Sequence, residues 1–466
     1  MLSALVASVL AASPASKVEL TVYNQGFALV KETRDFDLKS GIQDVIVTDV
    51  AEQIETTSVG IRSVSSPGSF EVLEQNYQYD LINPQKILDK SVGKRITLVR
   101  YAADGKTERI SGVLLSTPSA GGIVLRGDDG QIYLNPAGEY RVESIPDGLL
   151  STPTLLWKLD SASAGKNTVE LSYLTQGMRW NCDYVLNLDQ AGKVGDLKGW
   201  VTMINNSGAT FSNANLKLLA GEVERRTRPR GSGGADYAPA AMKNAAERGF
   251  SEEQFSDYHL YTLGRPATVR NNEQKQISLI EVANVQVTKR LVLDPMRNYA
   301  GYRASEGEVG TGVMKPQVRI ELENTKKNRM GMPLPMGSFK VFQRDSSNSL
   351  QLLGEDAIEH TPTDEKISLF VGRAFDIVAE RKRTKFEYIR DKSGNIRGVV
   401  ESFDIELRNR KKTAETVEVI ERFWGQWKIT ASSLPATRPT AEAAVFSVNL
   451  AAGEVKHVTF TVENRW

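Results

Sequence analysis

Cysteine is almost absent from this 466-residue chain, in which Cys182 stands alone. A single cysteine cannot close an intrachain disulfide, so stability has to come from packed cores. Histidine is nearly as scarce, with only His259, His360 and His457. That supply excludes a histidine-rich metal centre, and no HExxH, CxxC, GxSxG or GxxxxGK[ST] pattern occurs. Charge of one sign is lacking too. The 58 Lys and Arg against 57 Asp and Glu leave a formal net charge of +1, which provides no overall field to draw nucleic acid or an anionic membrane. Nor does any apolar run reach the roughly 20 residues needed to span a bilayer.

What remains is the composition of a globular protein, 40% hydrophobic and 25% charged. Single cores stop growing at about 250–300 residues, so two or three domains are expected. The opening stretch is apolar from Leu2 to Ala12 and is followed by the small residues Ser13-Pro14-Ala15. Residues 1–16 therefore read as an export signal, and the chain as periplasmic or cell-surface. No Lys or Arg precedes the apolar run, which leaves a buried first strand or a misassigned start as the competing readings.

The dominant pattern has period two. In VRIELEN, Val318, Ile320 and Leu322 oppose Arg319, Glu321 and Glu323; in FDIELRN, Phe403, Ile405 and Leu407 repeat the arrangement. Val458, Phe460 and Val462 do so once more. Such alternation marks strands with one buried and one wet face. Asp104-Gly105, Asp129-Gly130 and Ser393-Gly394 read as hairpin turns. Helical signals are few: a turn or two after Pro84, and one or two short helices in APAAMKNAAERGFSEEQF. The expected fold is mainly β, with several sandwiches and a small SH3-like or Sm-like barrel. The segments are 17–90 as an N-terminal sandwich, 91–146 as the barrel, 150–223 as a sandwich, 224–258 as a linker with a short helix, and 259–466 as a C-terminal sandwich region.

No residue is assigned a catalytic, cofactor-binding or metal-binding role, and no cofactor is expected. Cys182 falls in phase with Tyr184, Leu186 and Leu188, so its thiol is expected to pack as a small hydrophobe. Asp35 and Asp37 share a strand face that reads as solvated. Three basic clusters, Arg225/Arg226/Arg228/Arg230, Arg381/Lys382/Arg383/Lys385 and Arg408/Arg410/Lys411/Lys412, read as exposed hairpin ends and edge strands rather than a polyanion site. Of Trp424 and Trp427, three apart, at least one is expected in the core unless Gly425 makes a bulge.

Several blocks in order, LTVYNQGFALVKETR, LSYLTQGMRWNCDYVLNLD, GWVTMINNSGATFSNANLKLLAGEV, YHLYTLGRPATVRNNEQKQISLI and GMPLPMGSFKVFQRD, resemble the bacterial family filed as domain of unknown function 4139, distantly related to mucoidy-inhibitor-like proteins. The resemblance implies an exported, β-rich envelope protein and carries no catalytic residue onto this chain. Cys182 occupies a position expected to vary within the family, where a proline or small residue is usual. The expectation is a non-catalytic scaffold, binding or adhesion module whose partner is an envelope protein or surface polysaccharide. The alternative is a hydrolase or carbohydrate-active enzyme whose carboxylates meet only in the fold.

Overall fold

Branched and aromatic residues at every second position favour extended backbone, and pairing of such strands buries their apolar face. The structure, a computed structural model, describes residues 9–101, 106–225, 250–298 and 307–466. Among these are 32 strands and one α-helix, Pro84–Asp89, so the fold is mainly β as expected. That helix begins where proline costs nothing, and the Lys86 N–H donates to Asn83 Oδ1 at 2.8 Å to cap it. No helix among the described residues is long and apolar enough to cross a membrane.

The chain forms two compact units, Met1–Trp180 with Met203–Lys275, and Asn181–Thr202 with Gln276–Trp466. Each draws on separate stretches of sequence, whereas the segments read from sequence are contiguous. In the first unit Phe27–Leu38 pairs with Lys17–Tyr23 and, along its full length, with Gly165–Gln176. A second sheet runs in the order Val9–Ala11, Gly41–Val47, Thr154–Ser161, Phe70–Gln78. The stretch 17–90 thus does not close on itself, because two of its strands take Thr154–Ser161 as partner. Leu20, Val30, Phe36, Val45, Trp157 and Leu171 are buried.

Five antiparallel strands between Arg95 and Arg141 make a separate small sheet over Ile96, Leu98, Ile110, Leu114 and Leu125. It follows the close turns seen in the sequence, including Gly130 at φ 80°. Asp104-Gly105 lies outside the described residues, as do Arg226, Arg228, Arg230 and the 226–249 part of the proposed linker. One expectation fails within the described part. Phe250–Phe255, the end of the stretch read as helix, is a strand paired antiparallel with Tyr258–Leu263. A ladder with the strand Tyr258–Leu263 runs along all six residues and satisfies their backbone groups.

In the second unit a five-stranded sheet, in the order Gly312–Met314, Ile377–Arg390, Ile396–Asn409, Val455–Arg465, Gln426–Ser432, lies over a larger sheet that ends in Glu415–Arg422, Ala443–Leu450 and Ala436–Thr440. One core joins them, containing Leu291, Ile405, Leu407, Val419, Phe446 and Phe460. The alternating residues Phe403, Ile405, Leu407, Val458, Phe460 and Val462 named from sequence all point into it. At about 1.5–3 kcal/mol for each fully buried large side chain, this layer supplies the stabilisation that disulfides cannot.

Candidate functional site

Cys182 lies on strand Met178–Leu188 opposite Gly337 and is fully buried. Burial pushes its thiol up to about 12, against a hydrogen bond with Tyr184 that acts the other way. The three histidines have different partners. His259 Nδ1 lies 2.7 Å from Glu252 and His457 Nδ1 lies 2.9 Å from Asp404. His360 Nδ1 accepts the Met336 N–H at 3.1 Å. Asp35 is held below its ordinary range by hydrogen bonds from Lys166 and Thr168. Asp37 is exposed.

The basic clusters divide. Arg225 donates to both oxygens of Glu55 at 2.6 and 2.7 Å, with its guanidinium 4.0 Å above the Phe27 ring. Arg408 faces Glu380 and Glu406, and Lys411 pairs with Glu415. The expectation of exposure is wrong for Arg381 and Arg383. Their strand lies inside the five-stranded sheet, not at its edge, and both side chains point inward. Arg381 meets Glu421, and Arg383 meets Glu401 at 3.1 Å. Trp427 is core, its indole N–H donating to the Ala441 carbonyl at 2.7 Å, while Trp424 lies 6.2 Å from Trp466. Among the described residues no group of three or more His, Cys, Asp or Glu is arranged to hold a metal ion.

A cleft of about 820 Å³ lies over strands Glu273–Leu293, Gln317–Glu323 and Glu415–Arg422 in the second unit. The long strand pairs antiparallel with Gln317–Glu323, and in parallel with Glu415–Arg422 only from Leu291 to Leu293. Upstream of Leu291 the wet faces of these strands line the cleft. At its centre Arg290 donates from Nη1 to Glu321 Oε1 at 2.7 Å and from Nε to Glu418 Oε1 at 2.8 Å. A second hydrogen bond to Glu418 completes a forked contact. Lys366 approaches Glu321 from the other side at 3.6 Å.

This closure changes one reading of VRIELEN. Glu321 is on the strand face assigned to water, yet it is 8% exposed, because Arg290 and Lys366 cover it. Beside the network, Lys289 and Lys411 both hold Glu415. Burial acts to raise Glu415, but the hydrogen bonds from Lys411 and Lys289 outweigh it and its carboxyl sits below the ordinary value. Thr288 and Gln286 add uncharged hydrogen-bonding groups to the lining. Sequence reasoning missed Arg290, Glu321 and Glu418 as a set, since they come from three strands far apart in the chain. The available signal was the Lys289-Arg290 pair just before the buried Leu291-Val292-Leu293 run.

Comparison with known families matches residues 169–466 to the family described as domain of unknown function DUF4139. The N-terminal block LTVYNQGFALVKETR lies outside the matched residues. A local similarity to an asparagine--tRNA ligase of Desulfotalea psychrophila, 33% identical over 84 residues, covers 18% of this chain and 19% of that protein. The chain spans about a fifth of the ligase it matches.

Proposed function

The chain belongs to the DUF4139 family, and from that premise we propose that it is a non-catalytic binding module of the cell envelope, with a neutral surface polysaccharide as the ligand of the Arg290 cleft. The observation that carries this reading is the Arg290 fork between Glu321 and Glu418. A guanidinium shared by two carboxylates fixes three strands relative to one another and leaves little charge to select a polyanion or polycation. Thr288 and Gln286 then face a ligand with groups suited to hydroxyls. The hydrolase alternative needs carboxylates free to exchange protons, whereas Glu321 and Glu418 are both engaged by Arg290. Export is supported by the apolar stretch Leu2–Ala12 and the small residues after it.

The test is binding of the protein to a panel of neutral and anionic envelope polysaccharides at low and high salt. The Thr288→Trp variant, altered at an exposed lining position outside the ion pairs, fills the cleft and tests whether binding occurs there. Expected is retention of a neutral polymer at both salt concentrations and its loss in the variant. Binding confined to anionic polymers and abolished by salt, or unchanged binding in Thr288→Trp, defeats the reading.

A further inference from the structure

We propose that the second unit has a separate binding site for a small anionic amphiphile, an aliphatic chain ending in a carboxylate, at the open edge between strands Gln426–Ser432 and Ala436–Thr440. These are edge strands of the two sheets that share the core, joined through Ser433–Pro435. The sheet edges leave between them a cleft of about 440 Å³, within the range that holds small ligands. Its apolar lining includes Trp427, Ile429, Leu434 and Ala444, continuous with the hydrophobic core. An aliphatic chain placed there leaves water for a surface already apolar.

Arg438 supplies the polar end. Its guanidinium lies 4.1 Å above the Trp427 ring, and one N–H donates to the Ala441 carbonyl at 3.0 Å. Among the described residues no ion pair within 4.0 Å joins it to a carboxylate. A guanidinium has five N–H donors in a planar fork that fits a carboxylate, and stacking on an indole holds that fork in place. Most arginines described above are already committed to glutamate or aspartate; Arg438 is committed to a carbonyl and a ring. An apolar slot beside a cation without a carboxylate partner selects a ligand with an apolar body and an anionic tip.

The edge strand is built to yield. Ala436–Thr440 is held to Ala443–Leu450 by Ala436, Thr437 and Thr440, with a register break between the last two. Pro439 lies inside that break and has no N–H to give to a ladder. All five of its residues are exposed. The strand can shift to admit a ligand without opening the core beneath it.

The test is calorimetric titration of the full chain with octanoate and octyltrimethylammonium below their micelle concentrations and with 1-octanol below its solubility limit. Expected is saturable octanoate binding at least tenfold tighter than octanol, and no binding of the cation. Arg438→Gln should bring octanoate down to the affinity of octanol while leaving octanol unchanged. Ala436→Trp, at an exposed lining position, should abolish both. Thr288→Trp should bind octanoate as the wild type does, so failure of the polysaccharide reading and failure of this one are separable. Equal affinity for octanoate and octanol, full octanoate binding by Arg438→Gln, or no saturable binding of any probe overturns the proposal.

Discussion

Arg381 and Glu421 meet inside the second unit through two hydrogen bonds of 2.9 and 2.8 Å, with side chains 3% and 0% exposed. Arg381 also donates to the Val309 and Gly310 carbonyls, and its guanidinium lies 3.8 Å above the Phe403 ring. The desolvation of two buried charges consumes much of their attraction, so the pair is worth far less than the damage done by breaking it. Arg381→Met should therefore destabilise by about 3–5 kcal/mol, because Glu421 is left buried and unpaired. The double variant Arg381→Met/Glu421→Leu should recover most of that loss in urea unfolding. A double variant as unstable as the single one would mean that the pair itself, rather than the orphaned charge, sets the stability.

Gly337 reports on the packing around the lone thiol. A Cβ at this position would lie 2.2 Å from the Cys182 carbonyl oxygen, a backbone atom that cannot move aside. Gly337→Ala should cost about 3 kcal/mol, the upper end of ordinary overpacking, through separation of the two paired strands. Thermal unfolding checks it, and a loss below about 0.5 kcal/mol would show that the strands can spread there.

With the thiol fully buried and pushed up to about 12, Cys182 should resist a thiol reagent at pH 8 in the native protein. Labelling should become complete in urea, at a rate that follows the unfolded fraction. Rapid native labelling would place the thiol in contact with solvent and reopen a chemical role for it.

Much of the fold is legible in the sequence, and the limits have physical causes. Period-two alternation located Phe403, Ile405 and Leu407 on a core face because each strand's burial is a local property. Pairing is not local: nothing in 17–90 announces that Gly41–Val47 takes its partner from Thr154–Ser161. The same gap hid the candidate site, whose Arg290, Glu321 and Glu418 are united only by strand register. Arg381 and Arg383 were misread for another reason. A charged residue in an alternating strand is assigned to water by default, and the glutamates that make its burial tolerable lie on neighbouring strands.

Glu401 gives a pH dependence whose sign is fixed by its surroundings. Burial raises its carboxyl above the ordinary value of 4.5, and the hydrogen bond and charge of Arg383 only partly offset this. A raised carboxyl stays protonated in the folded state where the unfolded chain has already lost its proton. Its contribution is thus fully present below pH 4.5 and is lost as pH rises through the folded value. Relative to Glu401→Gln, whose side chain is neutral at every pH, wild type should lose stability as pH rises through that window. A wild type that gains on the variant as pH rises would mean that Arg383 dominates and holds the carboxylate ionised.

The first strand bears on export. Val9–Ala11 pairs in parallel with Asp44–Ile46, the Ala12 N–H donates to the Ile46 carbonyl, and Arg34 donates to the Ser13 carbonyl at 3.3 Å. Yet residues 10–15 are all exposed or half-buried, so little apolar surface is lost with them. Arg34 keeps its principal partner, since Glu32 accepts two of its hydrogen bonds at 2.8 and 2.6 Å. A chain starting at Ser16 should accordingly lose about 1 kcal/mol or less, roughly 2–4 °C in Tm, while leaving the Gly41–Val47 edge open. Mass spectrometry of the protein recovered from envelope fractions should find that same start. A severe loss of stability on truncation, together with an intact N-terminus in the cell, would make the segment a permanent strand of the fold and remove the export reading.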